Sequence, residues 1–263
     1  MHRFKYLFIL FIAVLLTYSP AGCGGVLSEK EVVIAAFNAG MIGDDTRNND
    51  STNVFWLSGG VHWNILHWNI KLTKHVRDVR VDGDHAMVKA VFTLNGEYQI
   101  SVNGREYPET KMNFSSNEVT LQLVKTGERW HISGFPELIL KSNHAAPSIS
   151  NFKFVPGEKE VSPGALISIS ADIHCGPLPQ GVRHVALYAL ARHLGIDPAT
   201  RAVKLTGAMD LNYQDSMFIQ SDARTGDHYG GLYAAELVDT GTNDRPDYKL
   251  YLTLYITRLY ITF

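Results

Sequence analysis

Apolar and polar positions fall into three rhythms along the chain. Tyr6 to Leu16 (YLFILFIAVLL) is continuously apolar. Val32, Val33, Ala36 and Phe37 then recur at helical spacing behind Ser28-Glu29-Lys30-Glu31, which reads as a capping box, so a helix is predicted over 28–42. A polar loop follows from Gly43 to Thr52. Val54 to Trp68 carries three tryptophans and Gly59-Gly60, and predicts short helical or irregular structure packed over a sheet. From Asn69 the period becomes two. Strands are predicted over 69–81, 86–94, 98–102, 111–125 and 129–135, with turns at Asp82-Gly83-Asp84, Asn95-Gly96, Asn103-Gly104 and Thr126-Gly127-Glu128. A helix followed by antiparallel strands implies an α+β domain. Ser142 to Ser148 (SNHAAPS) reads as a linker. Beyond it, short strand-like runs separated by turns, the last from Tyr248 to Phe263, predict an all-β sandwich. Ala186 to Leu194 (ALYALARHL) is also rich in helix formers, which leaves a helix open there.

The first rhythm has a cellular meaning. Arg3 and Lys5 precede the apolar run, and small, turn-forming residues follow it to Gly22, as in a secretory signal. The run is about half the length that a membrane-spanning helix needs. Ser19-Pro20-Ala21-Gly22-Cys23-Gly24-Gly25 resembles a bacterial lipobox. That resemblance implies cleavage before Cys23 and acylation of its thiol. The family usually has Leu where Pro20 stands. Ordinary secretory cleavage is the competing reading, and Pro20 and Gly22 fit its small-x-small rule poorly. Gly24 in place of Asp resembles a protein destined for the outer membrane, if the host is Gram-negative. The expected location is therefore the cell envelope, with the membrane as a partner through lipidated Cys23.

Two further resemblances bear on fold. Asp78 to Val88 (DVRVDGDHAMV), with Leu121 to Lys125, Gly127 and Trp130-His131-Ile132, resembles strand–turn–strand pieces of the nuclear-transport-factor-2-like superfamily, including its SnoaL-like members. It implies a cone-shaped α+β domain, a helix plus a curved antiparallel sheet enclosing a pocket. Val161-Ser162-Pro163-Gly164 before Ile167 to Ala171, with Asp222, Gly226-Asp227 and Gly230-Gly231-Leu232-Tyr233, resembles bacterial immunoglobulin-like modules. The organisation expected is a signal peptide (1–22), a tether (23–27), the cone-shaped domain (28–141), a linker (142–148) and an immunoglobulin-like β-sandwich (149–263).

Charge narrows the function classes. The formal net charge is −2, and loss of Arg3 and Lys5 on cleavage makes it −4. Without a basic patch, nucleic acid is a poor partner. Of the two cysteines, only Cys175 remains if Cys23 is acylated, so no internal disulfide forms. No P-loop, dinucleotide fingerprint, G-x-S-x-G or H-E-x-x-H is present. Phe55, Trp56, Trp63, Trp68 and His131 are the candidate lining of a pocket for a small apolar ligand; core packing is the plainer reading of the tryptophans. An Asp–His pair drawn from His62, His67, His75, His85, His131, Asp44, Asp45 and Asp78 could serve proton transfer inside a cone. His174-Cys175 with His184 and His193 invites a zinc reading, but the spacing matches no compact finger, and a buried thiol beside surface histidines is the simpler account. Asp239, Asn243, Asp244 and Asp247, or Asp222 and Asp227, could hold calcium, but the spacing is not an EF-hand and ordinary solvated turns are the plainer reading. The reading from sequence is thus a non-catalytic envelope lipoprotein, a binding or interaction module for an unknown protein or ligand that needs no cofactor or metal. The alternatives are an envelope enzyme using that Asp/His pair, or a purely structural envelope component.

Overall fold

The computed structural model describes residues 27–39, 44–48, 54–56, 61–155, 160–194, 204–219 and 226–261. Cys23 lies outside them. Among the described residues there is one helix, α1 (Glu29–Ala39). Its capping box forms as the sequence predicts: the Glu31 amide donates to Ser28 Oγ (3.3 Å), and the Ser28 amide donates to Glu31 Oε2 (2.7 Å). Those hydrogen bonds from Ser28 hold the Glu31 carboxyl below its ordinary range.

Every other regular element among the described residues is strand. The first half comprises β1 (Asp44–Asn48), β2 (Val54–Trp56), β3 (His62–Asp82), β4 (His85–Val102), β5 (Arg105–Glu106), β6 (Thr110–Ser115), β7 (Val119–Thr126) and β8 (Arg129–Gly134). They form one antiparallel sheet in the order β1-β3-β4-β7-β8, with β2 on β3 and with β5 and β6 on β4. The expected α+β cone over 28–141 is therefore corrected: a short helix lies against an eight-stranded curled sheet, and the protein is mostly β.

Two local features explain the difference. Val54–Trp56 and His62–Trp68 are strand rather than helix, with Trp63, Ile65, Trp68, Ile70 and Leu72 all buried on the sheet. Their spacing is irregular because β3 is bulged at Leu66 and again at Arg77, and each extra residue moves the buried set to the other parity. Asn95-Gly96 is not a turn. β4 runs through it, paired to Ile70 on one side and Met112 on the other. Gly96 is required there by close approach, since a Cβ would lie 2.1 Å from the Asn69 carbonyl oxygen. Asn103-Gly104 does turn the chain, with both residues at positive φ (51° and 79°), as a tight hairpin demands.

The second half adds β9 (Leu138–Lys141), β10 (Ser148–Val155), β11 (Glu160–Val161), β12 (Leu166–His174), β13 (Arg183–Leu194), β14 (Lys204–Thr206), β15 (Asp210–Phe218), β16 (Gly226–Asp239) and β17 (Tyr248–Ile261). A six-stranded sheet runs β11-β17-β16-β13-β14, with β9 also on β17; a three-stranded sheet runs β10-β12-β15. The six-stranded sheet is central and is covered on both faces. Tyr188, Tyr233, Leu252 and Leu254 belong to one core with the eight-stranded sheet, whereas Leu187, Ala189, Leu232 and Ala234 belong to another with the three-stranded sheet. Double burial explains why Ala186–Leu194 is strand despite its helix formers: from Ala186 to Ala191 every side chain is buried, which outweighs intrinsic propensity.

Aromatic pairs join the first two layers. Trp63 meets Tyr188 (ring centroids 5.4 Å apart) and Trp68 meets Tyr233 (5.9 Å). The Leu250 amide donates to the buried Tyr98 hydroxyl (3.0 Å). Residues 142–148 lie along β17: the Ser142 amide donates to the Leu252 carbonyl (2.8 Å), and Ala145 and Ala146 are buried.

Candidate functional site

The aromatic residues singled out from sequence occupy different places. Trp63 and Trp68 fill the core between the eight-stranded and central sheets. His131 is half-buried on β8. Phe55 and Trp56 lie on β2, of which only the backbone is described. The polar groups considered for a proton-transfer pair are dispersed: His67 faces Glu97 (3.6 Å), His75 Nε2 lies 3.2 Å from Thr73 Oγ1, and Asp78 pairs with Arg80 (3.4 Å).

The Asp-rich turn between β16 and β17 is spent internally. Asp239 Oδ1 accepts from the Gly241 and Asp247 amides (2.9 and 3.0 Å), and its Oδ2 accepts from Arg183 (2.6 Å). Asp247 accepts from Thr240 and pairs with Lys249 (3.2 Å). Asp239 and Asp247 are thus engaged in organising the β16–β17 turn. Asp222 lies outside the described residues, and Asp227 is described by its backbone alone.

The fold does bring together part of the set that spacing could not connect. Cys175 follows β12, His184 lies near the start of β13, and Glu236 comes from β16. One ligand atom from each lies within 4.8 Å of the others. Cys175 Sγ is 3.3 Å and Glu236 Oε1 is 2.9 Å from His184 Nδ1. A bulge at Val185 makes this possible. His184 opposes Val238 while Ala186 opposes Leu237, so the extra residue puts His184 on the face of Leu187 and Glu236. Of His193, proposed alongside them, only the backbone is described. Glu236 was missed, because an acid inside LYAAELV reads as a solvent-facing interruption; only its even-numbered phase with Leu232, Ala234 and Val238 hinted at the inner face.

Glu236 is fully buried, His184 is 14% exposed, and Glu236 Oε2 has no hydrogen-bond partner among the described residues. Burial pushes the Cys175 thiol well above the usual thiol range, and the negative charge of Glu236 adds to the effect. The order of contacts argues against a nucleophilic relay. A Cys–His–acid relay needs thiol and carboxylate on opposite ring nitrogens. Here both approach Nδ1, and Nε2 faces the Gly207 carbonyl oxygen (3.1 Å).

A second feature lies on the outer face of the three-stranded sheet. Asp172 accepts from Asn151 (2.7 Å) and Asn212 (2.8 Å), and Gln214 donates to Asn212 (3.1 Å). Those side-chain hydrogen bonds hold Asp172 below its ordinary range. Toward the other end of the same strands, Val155, Ser168, Ser170, Gln214, Asp215 and Ser216 line a shallow concavity of about 500 Å³. Comparison of this chain with protein-family models, with curated proteins and with solved structures finds no match.

Proposed function

We propose that this chain is a non-catalytic, exported binding module, held at the cell envelope through lipidated Cys23, which meets a polar ligand or partner on the outer face of its three-stranded sheet. The observation that carries the reading is the concavity on that face, whose floor is ordered before any ligand arrives. Gln214 is tied to Asn212, and Asn212 to Asp172. Side chains already fixed in place lose little entropy on binding. The volume falls within the ordinary range of ligand sites, roughly 300–1,000 Å³. Hydroxyls of Ser168 and Ser170 beside Gln214 favour a hydrogen-bonding ligand of low charge. Binding is preferred to catalysis because the thiol, imidazole and carboxylate that converge in this chain are arranged against a relay.

A photo-crosslinking residue placed at Ser168 in the full-length protein, in an intact bacterial envelope, tests this. The reading expects a discrete adduct from Ser168 that is absent when the same residue stands at Glu128, in the β7–β8 turn. Equal labelling from both positions, or none from Ser168, would remove the basis for the proposal.

A further inference from the structure

We propose that Cys175 Sγ, His184 Nδ1 and the Glu236 carboxylate bind one divalent transition-metal ion of the zinc class. This site lies beyond the far end of β12 from the concavity and does not rest on the reading given above.

The argument begins with the imidazole. A carbonyl oxygen only accepts, so the contact of His184 Nε2 with the Gly207 oxygen (3.1 Å) places a proton on Nε2. In a neutral ring the Nδ1 lone pair then points toward the sulfur and the carboxylate. A second ring nitrogen donating to a backbone carbonyl is how proteins orient histidines that ligate metal. Two acceptors, Nδ1 and Glu236 Oε1, stand 2.9 Å apart. Such an approach needs a shared proton or a cation between them.

A shared proton leaves a problem that a cation removes. Glu236 is fully buried, and although its carboxylate also meets the Cys175 thiol, its Oε2 has no hydrogen-bond partner of ordinary geometry among the described residues. An unsatisfied buried oxygen costs about 1–3 kcal/mol, and more when charged. A divalent ion held by the carboxylate neutralises it and uses its lone pairs. Distances agree with this use. Ligand atoms about 2.0–2.3 Å from a tetrahedral zinc stand roughly 3.3–3.8 Å from one another. The observed 3.3 and 2.9 Å need to open by only a few tenths of an ångström.

The donor types narrow the ion. One sulfur, one imidazole nitrogen and one carboxylate favour zinc-like borderline metals over calcium or magnesium, which take oxygen. On binding, Cys175 releases its proton and coordinates as thiolate. Three protein ligands leave a fourth position, and Cys175 is half-exposed, so a solvent-derived or exogenous ligand completes the tetrahedron. Cys175 immediately follows β12 of the three-stranded sheet, while His184 and Glu236 belong to the central sheet, so the ion would tie those two layers together.

The test uses the full chain carrying Cys23→Ser so that one thiol remains. After chelation and dialysis it is titrated with Co²⁺ and then Zn²⁺. The proposal expects one equivalent of cobalt with a near-ultraviolet thiolate charge-transfer band and intense visible bands of tetrahedral coordination, both erased by one equivalent of zinc. Zinc should also raise the thermal midpoint. Glu236→Gln and Cys175→Ser should each weaken zinc at least a hundredfold, beyond the roughly 10–100-fold typical of outer-shell partners, and should abolish the midpoint shift. Two variants are used because either alone could misfold; far-ultraviolet circular dichroism identifies the folded one. A folded parent without the charge-transfer band, or folded variants that bind as tightly as the parent through other histidines, overturns the proposal.

Discussion

Replacing Trp63 by alanine asks whether this indole is core or pocket wall. Trp63 is 1% exposed and meets Tyr188 of the central sheet at 5.4 Å between ring centroids. A tryptophan buries about 150–250 Å². At about 25 cal/mol per Å² that burial corresponds to roughly 4–6 kcal/mol as an upper estimate, and measured losses for large aromatic to alanine in cores run about 3–5 kcal/mol. We therefore expect Trp63→Ala to cost about 3–5 kcal/mol, a large part of the roughly 5–15 kcal/mol that stabilises an ordinary domain. The assay is urea unfolding followed by circular dichroism and by fluorescence of the three remaining tryptophans. Because the indole bridges two layers, a double-mutant cycle of Trp63→Leu with Tyr188→Leu should return a coupling of about 0.5–1.5 kcal/mol. A loss under about 1 kcal/mol for the alanine variant, below the cavity range, would mean that the indole faces an open pocket. A coupling of zero would mean that the two sheets do not share this core.

Three other outcomes follow from local geometry. Gly96→Ala should destabilise the protein well beyond the change expected at an ordinary strand position, because the new Cβ would lie 2.1 Å from the Asn69 carbonyl; a thermal midpoint equal to the parent's would contradict the close approach. At Asp239 burial raises the carboxyl, but the amides of Gly241 and Asp247 and the Arg183 guanidinium outweigh it, so the folded value lies below the ordinary one. Its contribution is present above the unfolded value, about 3.9, and is lost as pH falls through the folded value. Asp239→Asn should cost about 1.5–3 kcal/mol at pH 7, and its urea midpoint should fall less steeply than the parent's below pH 4; parallel curves would contradict the assignment. Metal-free Cys175 should react with iodoacetamide at pH 8 far more slowly folded than in urea, since burial and Glu236 hold its thiol protonated; equal rates would show a solvent-like thiol.

What the sequence disclosed, and what it hid, turns on phase. The capping box at Ser28 and the glycine turns at Gly83, Gly104 and Gly127 were legible, because each depends on residues adjacent in sequence. Tyr248–Ile261 was legible as a strand from its composition, and it is paired on both sides, to β16 and to β9 and β11. β4 was misjudged although its phase is clean: Leu94 and Tyr98 are both buried at even positions across Asn95-Gly96, so no turn intervenes. The bulges at Leu66, Arg77 and Val185 were hidden, since an inserted residue leaves no compositional trace while it reverses every later side chain. The last of these made the Cys175–His184–Glu236 cluster unreadable. Two of its three members were noticed, but only the fold gives them a common face and supplies Glu236.

The most direct test of the account is the intact mass of the protein recovered from bacterial membranes, beside a Cys23→Ser variant. A tethered envelope module predicts a mass that starts at Cys23 and carries acyl chains, with the variant released from the membrane fraction. An unacylated parent, found in the same fraction as the variant, would contradict the tether.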